Sequence, residues 1–175
     1  MAVPLSLVLC LVTAVVSLVA FNKRALMDAL MFRPDLILGR REWRRLFSCA
    51  LIHANAPHLI FNLIALHAFA SCIEEAYSPW LMLAIYAASV LGASLLSLWL
   101  HHSHPYAALG ASGGVCGVMF AAIFLVPGVD VGMLFLPIFI PGPVFAILYL
   151  VITFIALRRG KGNIGHDAHF GGAIT

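Results

Sequence analysis

The chain has 175 residues, of which 63% are hydrophobic and only 10% are charged, and its mean hydropathy is +1.04. A soluble domain usually carries about 25% charged residues, so this composition excludes an ordinary soluble fold and indicates that lipid is the solvent. The length predicts one compact, all-α bundle of transmembrane helices, a single domain over residues 1–175.

The positive charge is unevenly distributed along the chain. The formal net charge is +3, and all ten Lys and Arg residues fall within 23–45 and 158–161. Because both stretches lie between apolar runs, they predict contact with lipid headgroups or control of topology, and not binding to nucleic acid. The four cysteines form no CxxC pair and are expected to be small buried side chains.

The first apolar run covers residues 2–21 and has no basic residue before it. A spanning helix needs about 20 apolar residues, so the run predicts a transmembrane helix and not a signal peptide. A long polar-to-mixed connection, residues 22–57, follows it.

The second predicted helix covers residues 57–73 and ends at Glu74 and Glu75. His58 and Asn62 lie four residues apart, so their side chains share one face of this helix. Polar groups at membrane depth are costly and usually face the interior or a water-filled cavity. Alternatively, the pair only bonds a neighbouring helix.

The third predicted helix opens at Pro79, where proline is tolerated, and runs to residue 100 without a charge. Residues 101–109 form a loop with three histidines. We expect these histidines, and His53 in the earlier connection, to belong to solvated loops, although they could also help to hold water; the three are His101, His102 and His104.

The fourth predicted helix begins near Ser112, inside Gly110-Ala-Ser-Gly-Gly, and stops by the breaker pair at 127–128. A helix N-terminus offers unpaired backbone N–H groups and a positive dipole end, which stabilise an anion beside Ser112. Capping is the alternative role for this serine. Gly113 and Gly117 form a small-xxx-small pair that lets another helix approach.

Residues 130–143 are apolar but broken by glycine and proline, which predicts a loop or hairpin at the membrane surface. The fifth helix is predicted over 144–157, and the basic loop 158–161 leads to a sixth segment that opens near Gly165. About ten residues then remain, roughly 15 Å of helix, which is half a bilayer. We therefore expect the sequence to be a fragment with a truncated sixth helix.

The sixth segment carries Gly-His-Asp-Ala-His-Phe-Gly-Gly, with His169 and Gly172 on it. Counting crossings places His169 at the same membrane level as Ser112 and His58. A hydroxyl, an imidazole and extra hydrogen-bond donors are the parts needed for acyl transfer. The competing interpretation is a metal pair of His166 and His169, but two ligands are too few for a closed site.

Taken in order, these residues resemble the rhomboid intramembrane serine proteases. The motifs that carry the resemblance are Trp43–Arg44, His53, His58-x-x-x-Asn62, Gly110-x-Ser112-Gly113 and Ala168–His169-x-x-Gly172. The resemblance extends from about residue 40 to the end and implies a six-helix core.

The resemblance implies that Ser112 is the nucleophile and His169 the general base, a dyad without a carboxylate. It implies that His58, Asn62 and the Ser112 backbone N–H line the oxyanion hole. Gly110, Gly113 and Gly172 match positions that permit a tight turn and close packing, and Trp43 and Arg44 match a structured first loop. Neither a cofactor nor a metal is implied. The implied partners are transmembrane protein substrates and the lipid bilayer.

Two local features depart from the family pattern or limit what it implies. The family often has an aromatic residue four positions after the nucleophile, stacked on the base, whereas this chain has Cys116. Asp167 lies two residues before His169, and helical residues two positions apart do not face each other, so we do not expect it to complete a triad.

Three alternative functions remain open. One is an inactive rhomboid-like protein that binds transmembrane segments, although the presence of both Ser112 and His169 argues against it. Another is a haem or metal membrane protein with ligands among His53, His58, His67 and His169. The third is a transporter, but the inverted repeat of many transporters is not visible.

The membrane orientation is predicted in two opposite ways. Both basic stretches lie on the side of Ser112, so the positive-inside rule predicts a site that faces the cytoplasm. The resemblance implies a site that faces the outside or a lumen, in a bacterial inner membrane or its equivalent. We adopt the orientation of the family.

Overall fold

A computed structural model describes residues 3–132, 138–159 and 165–175 of the chain. The predictions for Ala2, Pro137 and Lys161 concern residues outside these ranges. The described residues are mostly helical. In chain order the α-helices are α1 Leu5–Asn22, α2 Arg24–Leu30, α3 Pro34–Arg40, α4 Arg45–Ser48, α5 Ala56–Ala76, α6 Pro79–His101, α7 Ser112–Leu125, α8 Gly142–Arg159 and α9 His166–Ala173, and a 3₁₀ turn Cys49–Leu51 follows α4.

The six predicted helices correspond to α1, α5, α6, α7, α8 and α9, which confirms the polytopic helical bundle. Four of them, α1, α5, α6 and α8, are long and apolar enough to cross a membrane. Large apolar side chains such as Trp99 and Ile147 are exposed on the outside of the bundle. In a soluble protein such a surface would be costly, whereas lipid solvates it.

Several helix boundaries differ from the sequence prediction for electrostatic reasons. Helix α5 continues through Glu74, whose carboxylate accepts the backbone N–H groups of Leu5 at 2.6 Å and Ser6 at 3.0 Å. The carboxylate therefore caps the positive end of α1. Helix α8 includes Arg158 and Arg159 in its last turn, so these residues do not belong to a loop. The helix dipole favours cations at this C-terminal end.

The first connection is largely helical, although composition predicted only a polar-to-mixed segment. Arg45 organises it from inside: its Nη1 donates to the carbonyl oxygens of Asp28 at 2.8 Å and Met31 at 2.6 Å, and its Nε donates to Glu42 at 2.7 Å. A buried guanidinium needs such partners, so it fixes the path of α2 to α4. These short helices lack a long apolar run, which is why hydropathy missed them.

Helix α7 is the central element of the bundle. It packs against α5, α6, α8 and α9, and ten of its 14 residues are buried. Its first residue, Ser112, is half-buried and precedes a run of eight buried residues, Gly113–Phe120. Beyond α7, strands β1 Asp130–Gly132 and β2 Phe139–Pro141 pair antiparallel and form the two arms of the predicted hairpin.

Candidate active site

The turn into α7 depends on Gly110, whose φ of +126° is unfavourable for a residue with a side chain. The Gly110 N–H donates to the Cys49 carbonyl at 2.9 Å, which ties the turn to the 3₁₀ segment. Ser112 follows as the first helical residue, with Ala111 at the cap position and no side-chain cap bond. The hydroxyl of Ser112 is therefore not used for capping.

The ring of His58 lies directly across this turn. A Cβ atom added to Gly110 would stand 2.8 Å from His58 Cε1, 3.0 Å from Nε2 and 3.9 Å from Ser112 Oγ. The imidazole and the hydroxyl therefore border the same small space, which the absent glycine side chain leaves open. We expect only glycine to satisfy both the backbone angle and the contact at this position.

His58 and Asn62 occupy one face of α5, as their spacing predicted. The Asn55 side chain caps the helix by accepting the His58 backbone N–H at 2.9 Å. One N–H of the buried Asn62 amide donates to the His58 carbonyl at 2.8 Å. An amide has two N–H groups, so one donor of Asn62 is committed to its own helix.

His53 is fully buried and bonds to the turn before Ser112, so the expectation of a solvated loop is wrong for this residue. Its Nε2 accepts the Ala111 backbone N–H at 3.3 Å, and its Nδ1 lies 3.0 Å from Ser17 Oγ. Ser17 donates its proton to the Leu51 carbonyl at 2.9 Å, so Nδ1 carries the hydrogen and donates to Ser17. Burial, with a smaller contribution from His58, lowers the pKa of His53 to about 4. The imidazole therefore stays neutral near pH 7.

Helix α9 touches α7 backbone to backbone beside the two proposed dyad residues. A Cβ on Gly113 would lie 3.2 Å from the Ala168 carbonyl oxygen, and a Cβ on Gly172 would overlap the Gly113 carbonyl. Gly117 faces the same helix, since its Cβ would stand 2.7 Å from the Gly172 oxygen. Among the described residues, no hydrogen bond joins Ser112 to His169. The structure thus brings their helices together without showing the bond itself.

The position of Cys116 shows a contact that sequence reasoning missed. Its Sγ lies 2.9 Å from the hydroxyl of Tyr149 on α8, whose ring packs edge-on against Phe120. A thiol bonded to a phenol from another helix therefore stands where the family often has an aromatic side chain. Nothing in the sequence predicts this pairing, because the two residues are 33 positions apart.

Two of the histidines proposed as metal or haem ligands, His53 and His58, lie with their ring centroids 4.9 Å apart. No group of three or more His, Cys, Asp or Glu side chains is placed to share a metal ion within the described ranges. His67 lies further along α5 and its Nδ1 is 3.4 Å from the Ser71 hydroxyl.

The sequence model of the Rhomboid domain matches residues 40–175 of the chain. The chain belongs to the rhomboid family. It is 30% identical over 174 residues to RHOMBOID-like protein 12, mitochondrial, of Arabidopsis thaliana, a match that covers 89% of this chain and 50% of the relative. It is 30% identical over 156 residues to Rhomboid protease AarA of Providencia stuartii, covering 76% and 53%.

A third relative is Rhomboid protease GluP of Bacillus subtilis strain 168, which is 27% identical over 142 residues, covering 81% of this chain and 26% of the relative. The rhomboid chain described here thus spans about half the length of its relatives, or less. Family membership establishes an integral, multi-pass membrane protein. Because named proteases are among the relatives, intramembrane protease activity is supported at the level of the family.

Proposed function

We propose that this chain is a serine endopeptidase that cleaves transmembrane segments of other membrane proteins. The observation that supports this most strongly is the backbone contact between α7 and α9 at Gly113 and Gly172. It sets Ser112 and His169 on adjoining turns of two touching helices, while His58 borders the Ser112 hydroxyl across Gly110. These contacts support assigning Ser112 as the nucleophile, His169 as the base and His58 as a donor.

The reaction follows from these positions. A substrate segment unwinds locally near one membrane face and presents a peptide carbonyl to Ser112. His169 takes the hydroxyl proton as Oγ bonds to the carbonyl carbon, and it then gives that proton to the leaving amine. Water attacks the resulting ester and regenerates the serine.

The negative oxygen of the tetrahedral intermediate needs aimed donors. The Ser112 backbone N–H is free at the start of α7, and the dipole of α7 favours negative charge there. His58 supplies a ring N–H, and Asn62 supplies its second amide N–H, since the first is held by the His58 carbonyl. In surroundings poor in water, removing one such donor costs about 10²–10³ in rate.

The described residues show no hydrogen bond between Ser112 and His169, which is compatible with this mechanism. Catalytic hydrogen bonds are often long in structures without substrate and tighten when substrate is bound. The missing bond is equally expected of a second candidate function, a rhomboid-like protein that binds transmembrane segments without cutting them. Both functions predict substrate binding, and only the first predicts cleavage.

The test is cleavage of a reporter transmembrane segment by the purified chain in detergent or liposomes. We expect Ser112→Ala to abolish cleavage while the protein still inserts and folds, because the nucleophile is lost. Ser71→Ala, on the far half of α5, is the matched control and should cleave like wild type. We expect Asn62→Ala to lose about 10²–10³ in rate and His169→Ala to lose more.

Three results would contradict the proposal or the roles within it. Wild-type turnover by the Ser112→Ala variant would remove the nucleophile from the mechanism. A chain that binds the reporter but never cuts it would instead support the binding function. A larger loss in Asn62→Ala than in His169→Ala would reverse the roles assigned to these two side chains.

A further inference from the structure

Beyond the dyad itself, we propose that Asp167 is a positioning residue that fixes the rotation of α9 and thereby aims His169 at Ser112. This inference rests on the proposed function. Asp167 acts through a polar cluster, called the Asp167 anchor, which consists of Asp167, Ser97, His101 and Tyr106.

The carboxylate of Asp167 is buried and fully engaged. Only 4% of the residue is exposed. Its Oδ2 accepts the Ser97 hydroxyl at 2.5 Å and lies 3.2 Å from His101 Nε2, and the Tyr106 hydroxyl donates to its two oxygens at 3.3 and 3.4 Å. A carboxylate taken out of water is costly unless it is paired and hydrogen-bonded. Rotating α9 would break these bonds, so the anchor resists rotation.

The anchor links three parts of the chain at one end of the bundle. Ser97 and His101 lie on α6, Tyr106 lies in the loop before α7, and Asp167 lies in the first turn of α9. The expectation of a solvated loop is wrong for His101, whose ring stacks on Tyr106 at 3.7 Å between centroids and 5° between planes. The remaining ring nitrogen of His101, Nδ1, lies 2.9 Å from His104 Nε2, which supports the ring from the loop side.

The geometry of a helix connects the anchor to the base. With 3.6 residues per turn, side chains two positions apart project about 200° around the helix axis. Asp167 and His169 therefore point to nearly opposite sides of α9, and neither bonds the other among the described residues. A side chain that fixes one side of a rigid helix also fixes the direction of the other side. The Asp167 anchor and the contact between Gly172 and Gly113 thus hold α9 at two separate points.

The charge state of the neighbours is consistent with this role. Burial first, and then the Asp167 carboxylate, raise the pKa of Tyr106, so its phenol keeps the proton that it donates. Asp167 is faced by His101 and Tyr106 from the other elements, and His166 and His169 share its helix. Among the described residues the carboxylate bonds to Ser97, His101 and Tyr106 and to neither member of the dyad, so we assign it positioning and not proton transfer.

The experiment compares steady-state cleavage of the transmembrane reporter by the full chain and by Asp167→Ala and Asp167→Asn. A misplacement of 1 Å can cost about 10²-fold in rate, so we expect Asp167→Ala to lower kcat by up to this factor while KM changes little. Asparagine keeps the size and one acceptor oxygen for Ser97, so Asp167→Asn should recover part of the lost kcat.

The matched control is Glu74→Gln at the other end of the bundle. Glu74 also joins two helices through its carboxylate, by accepting the N–H groups of Leu5 and Ser6. If buried carboxylate bonds only hold helices together, Asp167→Ala and Glu74→Gln should both lower the thermal midpoint. Neither variant should then change kcat in the folded protein. We expect Glu74→Gln to lower the midpoint and leave kcat unchanged.

The outcomes separate this inference from the proposed function. Wild-type kcat in folded Asp167→Ala, while Ser112→Ala is inactive, would overturn the positioning role alone. A wild-type chain that cuts no reporter would overturn both. If Asp167→Ala fails to fold, Asp167→Asn and Tyr106→Phe carry the test, and a kcat equal to wild type in both would overturn the inference.

Discussion

At the scale of single residues, the sequence predicts the three proposed catalytic side chains but not the hydrogen bonds that hold other buried polar side chains. The sequence predicts Ser112, His58 and His169 as site residues because polar groups are rare at membrane depth and their motifs are specific. The hydrogen-bond partners of the buried Asp167 and His53 side chains could not be predicted, because these partners come from helices that are distant in sequence. Ser97, which bonds to Asp167, lies on α6, and Ser17, which bonds to His53, lies on α1.

The buried His53 gives a prediction about stability and pH. Its pKa is about 4 in the folded protein, against 6.5 for an unperturbed imidazole. Between these two pH values the unfolded state binds a proton that the folded state does not, so acid favours unfolding. We expect the free energy of unfolding in mild detergent to fall as the pH is lowered from 6.5 to 4.

The matched measurement is the same titration of His53→Ala. This variant leaves the Ala111 N–H without its acceptor and removes the donor to the Ser17 oxygen, which keeps its own bond to Leu51, so it should be less stable by about 1–3 kcal/mol at pH 7. Its stability should also depend less on pH, because one titrating group is gone. An equal pH dependence in the variant and in wild type would show that the imidazole is not held neutral by burial.

At the scale of elements, the long helices follow from the lengths of the apolar runs, and their ends do not. Helix α5 continues past its predicted end through Glu74, whose carboxylate caps α1. Helix α8 continues past its predicted end to Arg159, where a cation is favourable at the helix C-terminus. Helices α7 and α9 have only 14 and 8 residues, too few for hydropathy to identify as spans. They were predicted from the glycines and polar groups at their N-terminal ends.

The contact between α7 and α9 gives a prediction about packing. In Gly172→Ala the added methyl group would overlap the Gly113 carbonyl, which is backbone and cannot swing aside. Helix α9 must therefore shift away from α7, and His169 moves with it. We expect reporter cleavage to fall by about 10²-fold, together with a lower thermal midpoint.

Gly39 offers the matched control for this substitution. It lies in α3, and a Cβ placed there meets nothing within 4 Å. Alanine favours a helix over glycine by about 0.5–1 kcal/mol, so Gly39→Ala should keep full activity and gain a little stability. If Gly172→Ala retained both activity and thermal midpoint, the close approach of the two helices would not be needed.

At the scale of the whole molecule, composition alone predicted a membrane bundle, whereas the sidedness required more than a count of charges. The positive-inside rule treats every loop arginine as a topological signal. In the structure, Arg33 pairs with Asp35, and both Arg44 and Arg45 pair with Glu42. Several of these charges are therefore paired within the first connection, and a count of basic residues does not register that pairing.

The central claim is that helices distant in sequence converge to make one reactive serine beneath the lipid surface. The most direct test is labelling of the purified chain with a fluorophosphonate, followed by mass-spectrometric identification of the modified residue. The account predicts an adduct on Ser112 that is absent in Ser112→Ala and forms much more slowly in His169→Ala. Labelling of a different serine, or equal labelling rates in wild type and His169→Ala, would contradict it.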